Sequence, residues 1–240
     1  MLDVSVDLMK KVSTGCSCID SNMDGGISPG SVTMIYGEPE TGKSTLVMQC
    51  AVNCAIQGYK TLFIDCDNTF SAKRFSQIAS GKIEEIANLI ILIKPVNFKE
   101  QTAVIDRIGE YTAKNFGLVV IDTFNSLYRA KVAESSGKVF GINRELNRQL
   151  AILAQTAKTQ KLPVVVTSQV RSVFNESYAS VAPVATRVLK FWADTIIIMK
   201  PTENPQTIKA VLEEKGERTR ETACYLRIDK TGIRDYPFHE

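Results

Sequence analysis

Residues 37–44 read Gly37-Glu38-Pro39-Glu40-Thr41-Gly42-Lys43-Ser44 and run on into Thr45. Two glycines with four residues between them, then lysine and a hydroxyl, are the parts a loop needs to wrap a triphosphate. An anion of that size is held by backbone N–H groups, and glycine permits both the close approach and the positive φ that turn those groups inward. In such a loop Glu38, Pro39, Glu40, Thr41 and Thr45 complete the cradle, Lys43 reaches the β- and γ-phosphates, and Ser44 ligates Mg²⁺. A helix beginning there aims its positive dipole end at the phosphates. The expected cofactors are therefore ATP and Mg²⁺.

Further carboxylates follow apolar strands. Asp122 closes Leu118-Val119-Val120-Ile121, where ligands of open α/β sheets bind, and reads as the second holder of the Mg²⁺ shell. A turn-forming aspartate is the alternative. Asp65 and Asp67 follow another such run, and strand alternation puts them on one side with Cys66 facing away. One of them orients an attacking water, or the pair only caps the helix that starts near residue 72. Gln169 ends the strand at 163–167 plus Ser168, where an amide could sense the γ-phosphate and pass its presence into the segment that follows.

The elements that hold these residues alternate. Strands are expected near 32–36, 61–65, 89–93, 117–121, 163–167 and 194–199, with helices near 43–57, 72–79, 98–115 and 139–160. Strands such as Leu118-Val119-Val120-Ile121 are apolar at every position, so helices are expected on both faces of a mostly parallel, doubly wound sheet. Runs near 207–213 and 223–229 flank a charged stretch and predict an antiparallel C-terminal β extension. Residues 168–185 read as a long loop. With 240 residues and 44% hydrophobic content, one α/β domain is expected.

The balance of 29 basic and 26 acidic side chains confines any nucleic-acid surface to a local patch. The six cysteines form no CxxC pair, and Cys50 and Cys54 read as small buried apolar groups of a reducing compartment. A single histidine, His239, argues against Ser–His or Cys–His nucleophiles. With no signal-like start and no apolar run of about 18 residues, the expectation is a cytoplasmic protein with no membrane segment.

Six ordered segments together resemble the core ATPase domain of RecA-type recombinases, and among them the archaeal paralogue family RadB, over essentially the whole chain. They are Ser13-Thr14-Gly15-Cys16-Ser17-Cys18-Ile19-Asp20; Gly25-Gly26-Ile27; the phosphate loop; Phe63-Ile64-Asp65-Cys66-Asp67-Asn68-Thr69-Phe70; Val120-Ile121-Asp122-Thr123 with Leu127-Tyr128-Arg129; and Val165-Val166-Thr167-Ser168-Gln169-Val170. The resemblance implies a RecA-like P-loop NTPase fold, with Asp67 in the place of the catalytic carboxylate, Arg74 packing on adenine and Gln169 as a switch amide. The family usually has glutamate where this chain has Asp67, so slow hydrolysis is expected. Lys215 and Arg218 are spaced differently from the family's basic cluster, which leaves a trans-acting role on a neighbour's ATP or a solvated hairpin tip. Full-length recombinases carry an N-terminal DNA-binding domain and a linker that this chain is expected to lack, so an accessory role beside the main recombinase or another repair protein is expected.

The resemblance further implies DNA contacts, single-stranded or branched, from loops near 127–142 and 170–187. Arg129, Lys131 and Lys138 fall in the first; Arg171, Phe174, Tyr178 and Arg187 fall in or beside the second. A homo-oligomer is compatible with the family. The competing readings are a phosphotransferase, for which no second base is found, and an ATP-gated protein adaptor with little hydrolysis and no DNA contact.

Overall fold

The apolar runs form the middle of a nine-stranded sheet in the computed structural model, which describes residues 11–112, 115–135, 137, 139–169, 182–214 and 222–236, without the side chains of 182–184 and 214. β1 (Val32–Gly37), β2 (Lys60–Asp65), β3 (Ile90–Ile93), β4 (Phe116–Asp122), β5 (Val164–Gln169) and β6 (Thr195–Pro201) are parallel. β7 (Thr207–Glu214), β8 (Thr222–Asp229) and β9 (Gly232–Asp235) continue the sheet antiparallel. The order β3-β2-β4-β5-β1-β6-β7-β8-β9 puts the strand ends bearing Gly37, Asp65, Asp122 and Gln169 next to one another.

Because the inner strands are mostly apolar, with Thr33, Thr61 and Thr167 among the buried exceptions, alternate residues feed two cores. Phe63, Leu118, Val120 and Val165 pack under α1 (Ser17–Asn22), α2 (Lys43–Ile56), α3 (Ala72–Ala79) and α4 (Ile83–Ile86). Ile64, Val119, Ile121 and Val166 pack under α5 (Phe98–Asp106), α6 (Ile108–Tyr111), α7 (Ser126–Glu134), α8 (Val139–Gln160) and α9 (Ala182–Trp192). A strand without solvent on either face needs no polar alternation.

Four expectations are corrected. The single helix expected over 98–115 is two, interrupted at Arg107 (φ −103, ψ 10), with Ile105 and Ile108 both still in the core. The first expected loop, 127–142, is largely helical: α7 is pinned by Tyr128, which is fully buried, packs edge-on against Phe98 and donates from its hydroxyl to Asn143 Oδ1 at 2.6 Å. A helix of nine residues is marginal alone and needs such an anchor. The loops expected over 168–185 and 170–187 end in α9, whose buried Ala185 and Leu189, with Ala193 just past its end, repeat at helical spacing; residues 170–181 lie outside the described residues. Finally, α1 and β9 were not anticipated, since Asp235 of β9 caps α1 across the chain by accepting from Ser17 N (2.7 Å) and Cys18 N (3.0 Å).

The same junction carries a disulfide, Cys18–Cys224, with Cα atoms 5.8 Å apart and a sequence separation of 206. Cys50 and Cys54 are free and buried, as expected of small apolar groups, and Cys16 and Cys66 are free and buried as well; the Cys18–Cys224 bond was not anticipated. Burial pushes the Cys54 thiol up to about 11, so that group is inert at neutral pH. Cross-linking so long a loop restricts the unfolded chain, and its removal typically costs about 2–5 kcal/mol. Cys18→Ser is expected to lower the melting temperature by several degrees in non-reducing buffer and to abolish the effect of added dithiothreitol; a dithiothreitol-insensitive wild type would contradict the bond. Among the described residues no helix is long and apolar enough to cross a membrane.

Candidate nucleotide-binding site

β1 delivers the phosphate loop and α2 receives it. Gly37 lies between Gln169 of β5 and Met199 of β6, and a Cβ there would come within 2.0 Å of the Met199 carbonyl oxygen, so only glycine fits. Gly42 turns the chain with φ +83 directly before α2, and a Cβ at this position would press on Ile228 Cδ1 at 2.7 Å. Thr41 Oγ1 donates to the Glu38 carbonyl at 2.8 Å and closes the loop internally.

Lys43 is the first helical residue and only 7% exposed. Its ammonium donates to the Glu38 carbonyl at 2.5 Å and Thr41 Oγ1 at 3.5 Å. Burial pulls its pKa below the usual lysine value, against the opposing fields of Asp122, Asp67 and Glu38. Asp122 is 2% exposed, and burial pushes its carboxyl up. Hydrogen bonds from Thr167 and Ser44 work against that rise, and the nearby charges of Asp67 and Asp65 add to it. The Thr167 hydroxyl donates to Asp122 Oδ1. A buried carboxylate and a hydroxyl side by side at a helix start form a hard, oxygen-based donor pair of the kind that suits Mg²⁺.

Asp65 and Asp67, alike in sequence, differ in structure. Asp65 is buried with both oxygens engaged: Thr69 N donates to Oδ1 at 3.0 Å, Phe70 N donates to Oδ2 at 2.9 Å, and Lys94 Nζ lies 3.6 Å from Oδ2. It fixes the turn after β2. Asp67, on that turn, is half-buried and near enough to influence Lys43 and Asp122.

Arg74 on α3 reaches the β8–β9 turn, donating from Nη1 to the Lys230 carbonyl and from Nη2 to the Asp229 carbonyl, each at 2.8 Å. With Glu40, Gly42, Lys43, Ser44, Thr45 and Ile228 it lines a cavity of about 520 Å³. Ile228, Asp229 and Lys230 were not singled out in sequence, because the hairpin could be anticipated but not its return over the loop. Pro39 and Glu40 are exposed, and Glu40 takes φ +64.

Gln169 pairs in register with Gly37, and its side chain borders a second, polar cavity of about 380 Å³ with Thr123, Ser126 and Arg129. Lys131, two residues beyond Arg129 on α7, pairs at 3.4 Å with Glu134 on the surface, and Arg187 is exposed on α9. Arg171, Phe174, Lys138, Tyr178, Lys215, Arg218 and His239 lie outside the described residues.

The Rad51 family model matches residues 7–236, nearly the whole chain. The chain belongs to the Rad51 family. Within that family it is similar to proteins described as "DNA repair and recombination protein RadB". The one from Thermococcus kodakarensis is 34% identical over 93% of this chain and 99% of its own length. Another, from Methanobrevibacter smithii, is 35% identical over 85% and 86%. A solved structure, "Crystal structure of the RadB recombinase", aligns with a TM-score of 0.77 and 32% identity over 94% of this chain and all of that one. The mostly parallel sheet with its antiparallel C-terminal strands is thus the RecA-like architecture of this Rad51-family chain.

Proposed function

We propose that this Rad51-family chain binds ATP with Mg²⁺ at residues 37–45, binds DNA, and acts in DNA repair and homologous recombination as a slowly hydrolysing paralogue accessory to a main recombinase. The observation that carries the reading is the meeting of Lys43, Ser44, Asp122 and Asp67 at one sheet edge, with Gln169 registered beside Gly37. Mg²⁺ would supply charge neutralisation of the phosphates. Ser44 and Asp122 have the oxygen donors to hold it, Lys43 would bind the terminal phosphates, Arg74 would flank the base, and Asp67 would orient water. The names of the relatives, all DNA repair and recombination proteins, support the nucleic-acid part.

DNA contact is assigned to Arg129, Lys131, Arg171 and Arg187, with Phe174 stacking on a base. Arg129 and Lys131 share α7, which begins four residues after Asp122. The Lys131–Glu134 pair is solvent-exposed and contributes little stability, so a phosphate can displace Glu134 readily. The deciding experiment is retention of labelled single-stranded DNA across a salt series with no nucleotide, ADP and a non-hydrolysable ATP analogue. Four phosphate contacts predict a log–log salt slope of about −3. Salt-dependent binding that changes with nucleotide supports the reading; no binding in any state would favour an ATP-gated adaptor instead.

A further inference from the structure

The β4–β5 ladder runs through Val119↔Val164, Val120↔Val165 and Ile121↔Val166 and then ends as β4 turns away. The two chains nevertheless stay joined for three more residues. Asp122 Oδ1 accepts from the Thr167 hydroxyl, and Phe124 N donates to the Thr167 carbonyl at 3.0 Å. Asn125 then takes over the part of a strand neighbour. Its Nδ2 donates to the Gln169 carbonyl at 3.2 Å, and its Oδ1 accepts from Gln169 N at 3.3 Å. A side-chain amide offers the same donor–acceptor pair as a peptide unit, so Asn125 fills the place left by the departing strand.

This side chain is 4% exposed, and its own carbonyl accepts from Arg129 N at 3.1 Å, which starts the hydrogen bonding of α7. Gln169 is therefore held from two sides: by Gly37 of the phosphate loop in the β1–β5 register, and by Asn125 at the root of the helix carrying Arg129 and Lys131. The remaining support is firm. Gln101 Nε2 donates to the Phe124 carbonyl at 3.1 Å and to Gln149 Oε1 at 2.9 Å inside the core, fixing the turn on which Asn125 sits. The reciprocal bonds to Gln169 are, by contrast, at the long end for N–H···O contacts. They are the part of this connection that can open with least loss.

We infer that Asn125 is a positioning residue that couples the phosphate loop, through the backbone of Gln169, to the Arg129 end of α7, so that the nucleotide state sets DNA affinity. The inference rests on the function proposed above, because it needs both ligands. Among the described residues no hydrogen bond joins Asn125 to the phosphate loop or to the carboxylates; its bonds go to Gln169 and α7.

The test compares single-stranded DNA affinity in ADP and in a non-hydrolysable ATP analogue for wild type, Asn125→Ala and Asn125→Asp. Coupling of ordinary size gives wild type a ratio of about fivefold or more between the two states. Asn125→Ala is expected to bring that ratio to within about twofold of one, with analogue affinity retained. Asn125→Asp keeps the acceptor for Gln169 N but lacks the donor to its carbonyl, and should fall between; it also carries the test alone if the alanine variant fails to fold. A purely structural role would lower the melting temperature and leave the ratio as in wild type, which would overturn the coupling. A wild type with no nucleotide-dependent ratio would overturn instead the function on which it rests.

Discussion

Lys43→Ala is expected to reduce ATP affinity by about two orders of magnitude. The ammonium is held at the start of α2 under a 7% exposed surface, close to the loop oxygens of Glu38 and Thr41. Hydrogen bonds to charged groups contribute about 1.5–3 kcal/mol each, and at 1.4 kcal/mol per factor of ten the loss of one strong contact gives up to about 150-fold. Isothermal titration with a non-hydrolysable analogue measures it directly. Undiminished binding by the alanine variant would sink the assignment of the whole loop. Because burial already lowers the pKa of Lys43, its removal takes away an unfavourably buried charge as well as a ligand. The variant should therefore melt no lower than expected for trimming a side-chain stem, which keeps loss of binding distinct from loss of fold.

Asp67→Glu is expected to raise ATP turnover by about ten- to a hundredfold, and Asp67→Asn to reduce it to background. Among the described residues Asp67 makes no hydrogen bond on the β2 turn, whereas Asp65 gives both of its oxygens to Thr69 N and Phe70 N. A carboxylate one methylene short holds a water about 1 Å from its best position, and such a misplacement can account for about a hundredfold in rate. General-base action itself contributes about 10² to 10⁴. Steady-state phosphate release for the three proteins decides the matter. Equal turnover in wild type and Asp67→Asn would remove Asp67 from the chemistry.

Where a feature depends on neighbours in sequence, it was legible. The phosphate loop is a contiguous pattern, and its glycines are required by contacts the chain makes at that spot. Strands such as Leu118-Val119-Val120-Ile121 announce by continuous apolarity that both faces are covered, and the two cores show why. The antiparallel extension was legible from its alternating strands and charged turn. The helix α9 was not anticipated: Ala185 and Leu189, with Ala193 just past its end, carry a helical period, but the Ser- and Pro-containing stretch before them obscured it.

Chain-distant partners decided the rest. Two aspartates two residues apart cannot be told apart until the backbone after β2 folds back and gives Asp65 two N–H groups to hold. The junction of α1 with β8 and β9 depends on Asp235 and on Cys18–Cys224, groups more than 200 residues apart whose pairing no local pattern encodes. Arg74 meets the Asp229 and Lys230 carbonyls only because the sheet order carries β8 and β9 back over the loop. Asn125 looks in sequence like any polar residue opening a helix, and its pairing with Gln169 exists because β4 and β5 are neighbours whose ladder ends early. The sequence by itself determined the phosphate loop and the strand type, since local chemistry and periodicity suffice for these, and the RecA-like class through the resemblance of its ordered motifs. Only the tertiary structure decided which carboxylate is free, what closes the cavity and what ties Gln169 to α7, because hydrogen bonds between distant segments are set by topology.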